Sequence, residues 1–444
     1  MKRFWMIGLV LALAFTVLGY QGVALGEEEQ EYIVLVKENA SYDEVVHDIT
    51  QGADIIYEAR EVGVLHVKSS DEQFMTHVQN MSGVQQANRH VDIRAHDAWI
   101  QADRDLNTDD NQDANLYEEY QWDIQRVTAH GAAWDINQGN HDVVVGVVDS
   151  GIDFSHPDLQ PNLLYGKTFF PEATEEDAYT DSGMHGTHVA GAIAANGSVK
   201  GVGPGLGIAS YRVSNSEGRM SWAGILDAIT TAADDGVDVI NLSLGTYSTM
   251  TDEQSRLLHQ SAKRAVKYAQ NKGMIIVGAN GNSAMDLGKA SHTEPGEGKI
   301  YGPLFDTFTD IPWVISVSST TNRDTLAYYS NYGSSNVDLG APGGDLGPEW
   351  PNPEEDVSLI DEEAQALSTV PVEQGSYGWA IGTSMAAPKV TAAVGMVKSA
   401  YPETSPARVI THLKQTAEDL GKNGHDEAFG HGLVDVYEAL NQQP

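Results

Sequence analysis

Residues 142–149 read DVVVGVVD and run straight into SGIDFSHPDL at 150–159. Five valines and a glycine separate the two aspartates, with no polar residue among them. A strand with one wet face would alternate, so this run is read as buried on both faces. The same texture returns in IASYRV (208–213), VDVINLSLG (237–245), GMIIVGANGN (273–282), WVISVSST (313–320) and VDLGAPG (337–343). Helical stretches lie between some of these runs, notably 221–235 and 252–271. From residue 120 onward the expectation is therefore α/β, a parallel sheet covered by helices on both faces.

Chemistry in such sheets collects at the carboxyl ends of the strands. Asp149 closes the first run, where it reads either as a turn cap or as a carboxylate held at the ligand-binding edge. DSGMHGTHVAG (181–191) then enters a small-residue helix, with His185 between Gly183 and Gly186 near its start. His185 and His188 are spaced i, i+3. Zinc helices use i, i+4 with a glutamate, so no metal is expected here. GANGN places Asn280 and Asn282 in a Gly-rich turn, where an amide can donate to an oxyanion or simply shape the turn. In GTSMAAPKV (382–390), Pro388 fits a helix only in its first turn, so the helix starts close to Ser384. The hydroxyl then faces free N–H groups and the positive end of the helix dipole. A hydroxyl, an imidazole, a carboxylate and an amide at one sheet edge suit acyl transfer by nucleophilic catalysis. The chain order Asp, His, Ser is one of the known triad orders.

Bulk properties bound the partners. The 444 residues carry a net charge of −37, spread over both halves, so little is present to neutralise phosphates and nucleic acid is not an expected partner. There is no cysteine, which removes disulfides, thiol nucleophiles and lipobox anchoring. Lys2 and Arg3 precede an apolar run from Phe4 to about Tyr20, and Ala24-Leu25-Gly26 offers small residues for cleavage. Residues 1–26 are therefore expected to be a secretory signal peptide, leaving a secreted chain without a membrane segment. Residues 27–100 alternate as β-α-β-β-α-β, the pattern of a small ferredoxin-like α+β unit. Residues 101–119 are rich in Asp and Asn and are read as an exposed acidic linker.

VVDSGID, HGTHVAG, SLG, ANGN and GTSMAAP together resemble the signature segments of subtilisin-like serine peptidases, in order across residues 120–444. The resemblance implies a subtilisin-like parallel sheet and a serine endopeptidase with Asp149 as orienting acid, His185 as general base and Ser384 as nucleophile. It implies Asn282 as oxyanion donor through its alignment after Gly281. Ser243, Leu244 and Gly245 match the strand that pairs with extended polypeptide substrate. No cofactor is implied for catalysis. The family's longer calcium loop is missing from the short turn ANGSVKGVGP, although Asp158 is retained, so obligatory calcium is not expected there. Residues 27–100 correspond to an inhibitory propeptide, cut off by the enzyme itself; Glu119–Tyr120 is the expected bond. AANGSVKGVGPGLGIASYRV, AADDGVDVINLS and APKV are similar to subtilases that remove leader peptides from lantibiotics. A leader-bearing precursor peptide and the chain's own propeptide are thus the expected partners, and the enzyme is expected to act as a monomer. No wall-sorting signal is seen. A general degradative subtilisin and a catalytically silent peptide-binding homologue are the alternatives.

Overall fold

A computed structural model describes residues 29–90, 99–102, 115–249, 252–293, 300–351 and 356–444. The expected signal peptide and most of the acidic linker lie outside the described residues.

The N-terminal unit runs β1 (Gln30–Val36), α1 (Tyr42–Ile49), β2 (Asp54–Ala59), β3 (Val64–Ser69), α2 (Phe74–Gln79) and β4 (Val84–Arg89). Its strands pair antiparallel in the order β2-β3-β1-β4. Ser41 caps α1 by accepting from Glu44 N, as its sequence position predicts. Alternation along β1 explains why nearly all of this strand is buried. Tyr32, Val34 and Val36 pack with α1 and α2, whereas Ile33 and Leu35 join a second core shared with the large unit. Hydrogen bonds cross this seam, including Tyr57 Oη to Asp227 Oδ2 (3.0 Å) and Arg264 Nη1 to the carbonyls of Val36 and Val62 (2.8 and 2.9 Å).

β5 (Trp99–Ala102) follows, and the large unit then opens with α3 (Leu116–Tyr120), α4 (Trp122–Thr128) and α5 (Ala132–Ile136). Next come β6 (Val144–Asp149), β7 (Leu163–Thr168), α6 (His185–Ala194), β8 (Gly207–Arg212), α7 (Trp222–Asp234), β9 (Val239–Leu242) and β10 (Tyr247–Thr249). The chain continues through α8 (Glu253–Lys272), β11 (Ile275–Ala279), β12 (His292–Thr293), β13 (Ile300–Tyr301), β14 (Leu304–Asp306), β15 (Val314–Thr320) and β16 (Leu339–Pro342). It ends with β17 (Ala366–Thr369), β18 (Tyr377–Ile381), α9 (Thr383–Ala400), α10 (Pro406–Thr416) and α11 (Val436–Asn441).

Seven strands form one parallel sheet in the order β16-β15-β11-β9-β6-β8-β7. Val145 and Val147 of β6 face the layer holding α6 and α9, while Val148 faces the layer holding α7 and α8. Burial on both faces is what the unbroken valine run requires. The sequence reading missed β7. It is the edge strand, most of its residues are only half-buried, and LLYGKT therefore carries no apolar run.

The linker reading needs correction at its two ends. Residues 101 and 102 belong to β5, which pairs antiparallel with β18. Residues 116–119 belong to α3, capped by Asn115 through Glu118 N at 3.3 Å. Leu116 is 4% exposed in the main core, and Tyr117 packs against Trp134 with ring centroids 5.0 Å apart. The large unit is thus anchored from Leu116, ahead of the expected start at Tyr120.

Candidate active site

Asp149 ends β6 and His185 begins α6, so a rigid strand and a helix start carry the two groups. The helix can seat this closely because residue 186 is glycine. A Cβ there would stand 2.0 Å from Gly151 O and 3.2 Å from Asp149 Cβ. Asp149 Oδ1 accepts from Ser150 N and His185 Nδ1, both at 2.7 Å. Nδ1 carries the proton in that bond, which leaves Nε2 as the acceptor nitrogen. Both side chains are buried. Burial by itself lowers the His185 pKa, but the charge and hydrogen bond of Asp149 outweigh it and hold the imidazole above its ordinary value.

Asp181 fastens this pair, and sequence reasoning gave it no role. Its carboxylate accepts from Ser150 Oγ (2.7 Å), Gly183 N (2.9 Å), Thr187 N (2.9 Å) and Thr187 Oγ1 (2.6 Å). Ser150 Oγ in turn accepts from Gly186 N at 2.9 Å. The available signal was an acidic residue four places ahead of a His at a helix start, the position of a helix-terminus acceptor. His188 is fully buried and bonds the carbonyls of Gly378 (3.1 Å) and Ala366 (3.3 Å). Burial, with a smaller contribution from the Lys389 cation, pushes its pKa down to about 3. It ties α6 to β17 and β18.

Ser384 lies in the first turn of α9 and is fully buried. Its Oγ donates to Ser243 O at 3.3 Å, while Ser243 Oγ donates to Ser384 O at 2.9 Å. No hydrogen bond joins Ser384 Oγ to His185 Nε2 among the described residues. Such bonds often tighten only when substrate is bound. Asn282 sits across the same helix start. Its Oδ1 accepts from Thr383 N (2.9 Å) and Thr383 Oγ1 (2.8 Å), which fixes the carbonyl end and turns the amide NH2 away from Thr383. Gly281 makes the turn at φ +95° and donates its N–H to Thr383 Oγ1 at 3.1 Å. Asn331 braces the turn by accepting from Ser283 N (3.2 Å) and Met285 N (2.9 Å) and donating to Asn280 O (2.8 Å). Asn280 is fully buried, and neither polar atom of its side chain meets a partner.

β6, β9 and β11 are neighbours in the sheet, so Asp149, Ser243 and the Asn282 turn follow the carboxyl ends of three adjacent strands. Ser243, Leu244 and Gly245 are all buried, with Leu244 in the core shared with the N-terminal unit. Glu119 and Tyr120 are not part of this cluster. They lie inside α3, with Tyr120 packed edge-on against Trp379 at 5.7 Å, so the bond between them is helical and not extended. The segment that does reach the region is β5, which places Trp99 opposite Ile381, three residues before Ser384.

The calcium implied by the family does not fit the residues at Asp158. Its Oδ2 accepts from Val199 N (3.0 Å) and Tyr377 Oη (3.1 Å). Gly197 lies so close that a Cβ would stand 1.9 Å from Oδ1. A carboxylate engaged by protein donors and covered by backbone lacks the open oxygen set that calcium needs.

Within α9, the helix that carries Ser384, Lys389 Nζ lies 2.7 Å from Asp123 Oδ2 and donates to Met385 O at 3.0 Å. Both side chains are almost wholly buried, 0% and 2% exposed. The sequence signal was a lysine inside an otherwise uncharged helical stretch, TSMAAPKVTAAVGMV.

Residues 140–432 match the sequence pattern of the Subtilase family. The chain is 28% identical to the epidermin leader peptide-processing serine protease EpiP of Staphylococcus epidermidis, covering 99% of both chains. It is 30% identical to the nisin leader peptide-processing serine protease NisP of Lactococcus lactis, over 69% of this chain and 47% of that one. The crystal structure of EpiP from Staphylococcus aureus superposes with a TM-score of 0.77 at 27% identity, covering 93% of this chain and 98% of the other. With this fold and this polar cluster at the carboxyl edge of its sheet, the chain belongs to the subtilase family and is a serine endopeptidase.

Proposed function

We propose that this endopeptidase removes the leader from a lanthipeptide precursor, and that it is secreted as a zymogen which processes itself. The similarity to EpiP over 99% of both chains carries this reading, because it includes the N-terminal unit as well as the peptidase. In the proposed mechanism Ser384 Oγ attacks the scissile carbonyl and His185 Nε2 takes its proton. Asp149 holds Nδ1 and stabilises the imidazolium. The oxyanion is held by the Asn282 amide and the Ser384 N–H at the positive end of α9. His185 then protonates the leaving amine as the C–N bond breaks. Water, deprotonated by the same imidazole, hydrolyses the acyl-enzyme and restores Ser384. Substrate lies extended along residues 243–245.

The test pairs a fluorophosphonate probe with two substrates, a leader-bearing precursor peptide and casein. Labelling at Ser384, one cut at the leader junction and little casein turnover are expected. Equal turnover of both would favour a degradative role, for which the 33% identity to Bacillus subtilisins over 67% of this chain is the motive. Absence of labelling would overturn the catalytic assignment itself.

A further inference from the structure

One face of the N-terminal sheet meets the large unit, and its register brings three metal-type ligands together there. Ile33 pairs with His66 across β1 and β3, and with Asn88 across β1 and β4. Side chains two residues apart share a face. Glu31, His66 and His90 therefore fall on the side of Ile33, which packs against the large unit. His90 N–H donates to Glu31 O at 2.9 Å, locking those two positions. His66 Nε2 stands 2.9 Å from Glu31 Oε2, and the two imidazoles stack with centroids 4.0 Å apart. One ligand atom from each of the three residues lies within 4.8 Å of the others. The group borders a cavity of about 460 Å³ between the units, lined also by Phe170, Asn215 and Ser221.

We propose that Glu31, His66 and His90 bind a zinc-class divalent ion at the seam between the two units. Two imidazoles and one carboxylate form a nitrogen-rich set that suits zinc and disfavours calcium or magnesium. Tetrahedral zinc ligands 2.0–2.1 Å from the metal stand about 3.4 Å apart, so the side chains must close by roughly 1 Å. Glu31 is 49% exposed and His90 half-buried, and both have room to turn. His66 is already aimed. Its Nδ1 meets Ser221 Oγ at 3.1 Å, which leaves Nε2 on the Glu31 side. A metal-bound histidine commonly donates its second N–H in this way, and here the acceptor belongs to the other unit. Ser221 precedes α7 at the capping position, yet its side chain makes no capping bond. Its hydroxyl serves the histidine instead. The ion would rigidify the seam from the N-terminal side and be lost from the peptidase with that unit.

The test uses the uncut full chain carrying Ser384→Ala, zinc chloride as probe, and equilibrium dialysis with metal analysis. One zinc per chain is expected, undisturbed by millimolar calcium or magnesium. His90→Gln and Glu31→Gln should each weaken binding more than tenfold, and Ser221→Ala about tenfold. The second imidazole pair, His425 and His431 with centroids 4.8 Å apart, supplies the control. Gln in place of both should leave the affinity unchanged. Zinc should raise the melting temperature of the parent and not of His90→Gln, which guards against a variant that merely misfolds. No binding by the parent, or equal binding after both His90→Gln and Glu31→Gln, would overturn the proposal. None of these readouts requires catalytic activity.

Discussion

Truncating Asp123 to alanine tests how α9, the helix of Ser384, is held. Lys389 would keep its buried ammonium but retain only the Met385 carbonyl at 3.0 Å. Breaking a buried ion pair by removing one partner costs about 3–5 kcal/mol, because an uncompensated charge remains. Against a net stability of about 5–15 kcal/mol, that is roughly a fifth or more of the whole. Asp123 Oδ1 has no hydrogen-bond partner, so the carboxylate itself is imperfectly satisfied. An apolar replacement of both residues, Asp123→Leu with Lys389→Met, should therefore recover most of the loss. Urea unfolding in the Ser384→Ala background avoids self-digestion. The single variant should shift the midpoint by on the order of 1 M or more at a slope of about 1–3 kcal/mol/M. In the active background the double variant should still lose about tenfold to a hundredfold in kcat, since Lys389 braces the carbonyl beside Ser384. A loss under about 1 kcal/mol for Asp123→Ala, or a double variant less stable than the single ones, would refute the reasoning.

Ser384→Ala, His185→Ala and Asp149→Ala should each remove most activity, with little added on combination, and near-normal turnover in any one would sink the triad. Asn282→Ala should lower kcat about 10²–10³-fold with KM nearly unchanged, and a loss of that size from Asn280→Ala instead would show that the wrong amide was chosen. The acid limb of kcat/KM should fall above the ordinary imidazole value of about 6.5, because the base works neutral and Asp149 holds the His185 pKa up; Asp149→Asn should move the limb down, and no movement would contradict the pairing. Self-cleavage should fall between His90 and Trp99 rather than at Glu119–Tyr120, read from intact masses of wild type against Ser384→Ala; a peptidase beginning at Tyr120 would restore the original bond. Chelation should barely affect the mature peptidase, and inactivation reversed by calcium would reveal a site that Asp158 does not provide.

The parallel sheet and its carboxyl-edge residues were legible because burial on both faces writes an unbroken apolar run, as in Val143–Val148. The edge strand β7 was not, because it is only partly buried and resembles a loop in composition. Residues 115–119 failed for the opposite reason. Acidic composition suggested a linker, while a single cap at Asn115 and one buried Leu116 were enough to fix a helix against the core. Side-chain braces were the least visible. Ser150–Asp181, Met285–Asn331 and Asp123–Lys389 bridge 31, 46 and 266 positions. Local pattern says nothing about such distances. Lys389, a charge within an otherwise uncharged stretch, carried a signal that the sequence reading did not use.

β18 explains why the position of the proposed self-cut matters. Its residues accept from His188 through Gly378 O, pair with β17 on one side and β5 on the other, and lead within three residues to Ser384. In the uncut chain β5 therefore occupies a backbone ladder that runs directly into the nucleophile. Antiparallel pairing puts Trp99 at the Ser384 end of that ladder and Ala102 at the far end. A cut ahead of Trp99 would free the N-terminal unit yet leave β5 in its place on β18. A cut at Glu119–Tyr120 would instead break α3 at its last residue, without first loosening β5. The pairing thus favours the first cut, since it leaves the β5 ladder on β18 intact, whereas the second breaks a helix packed into the main core.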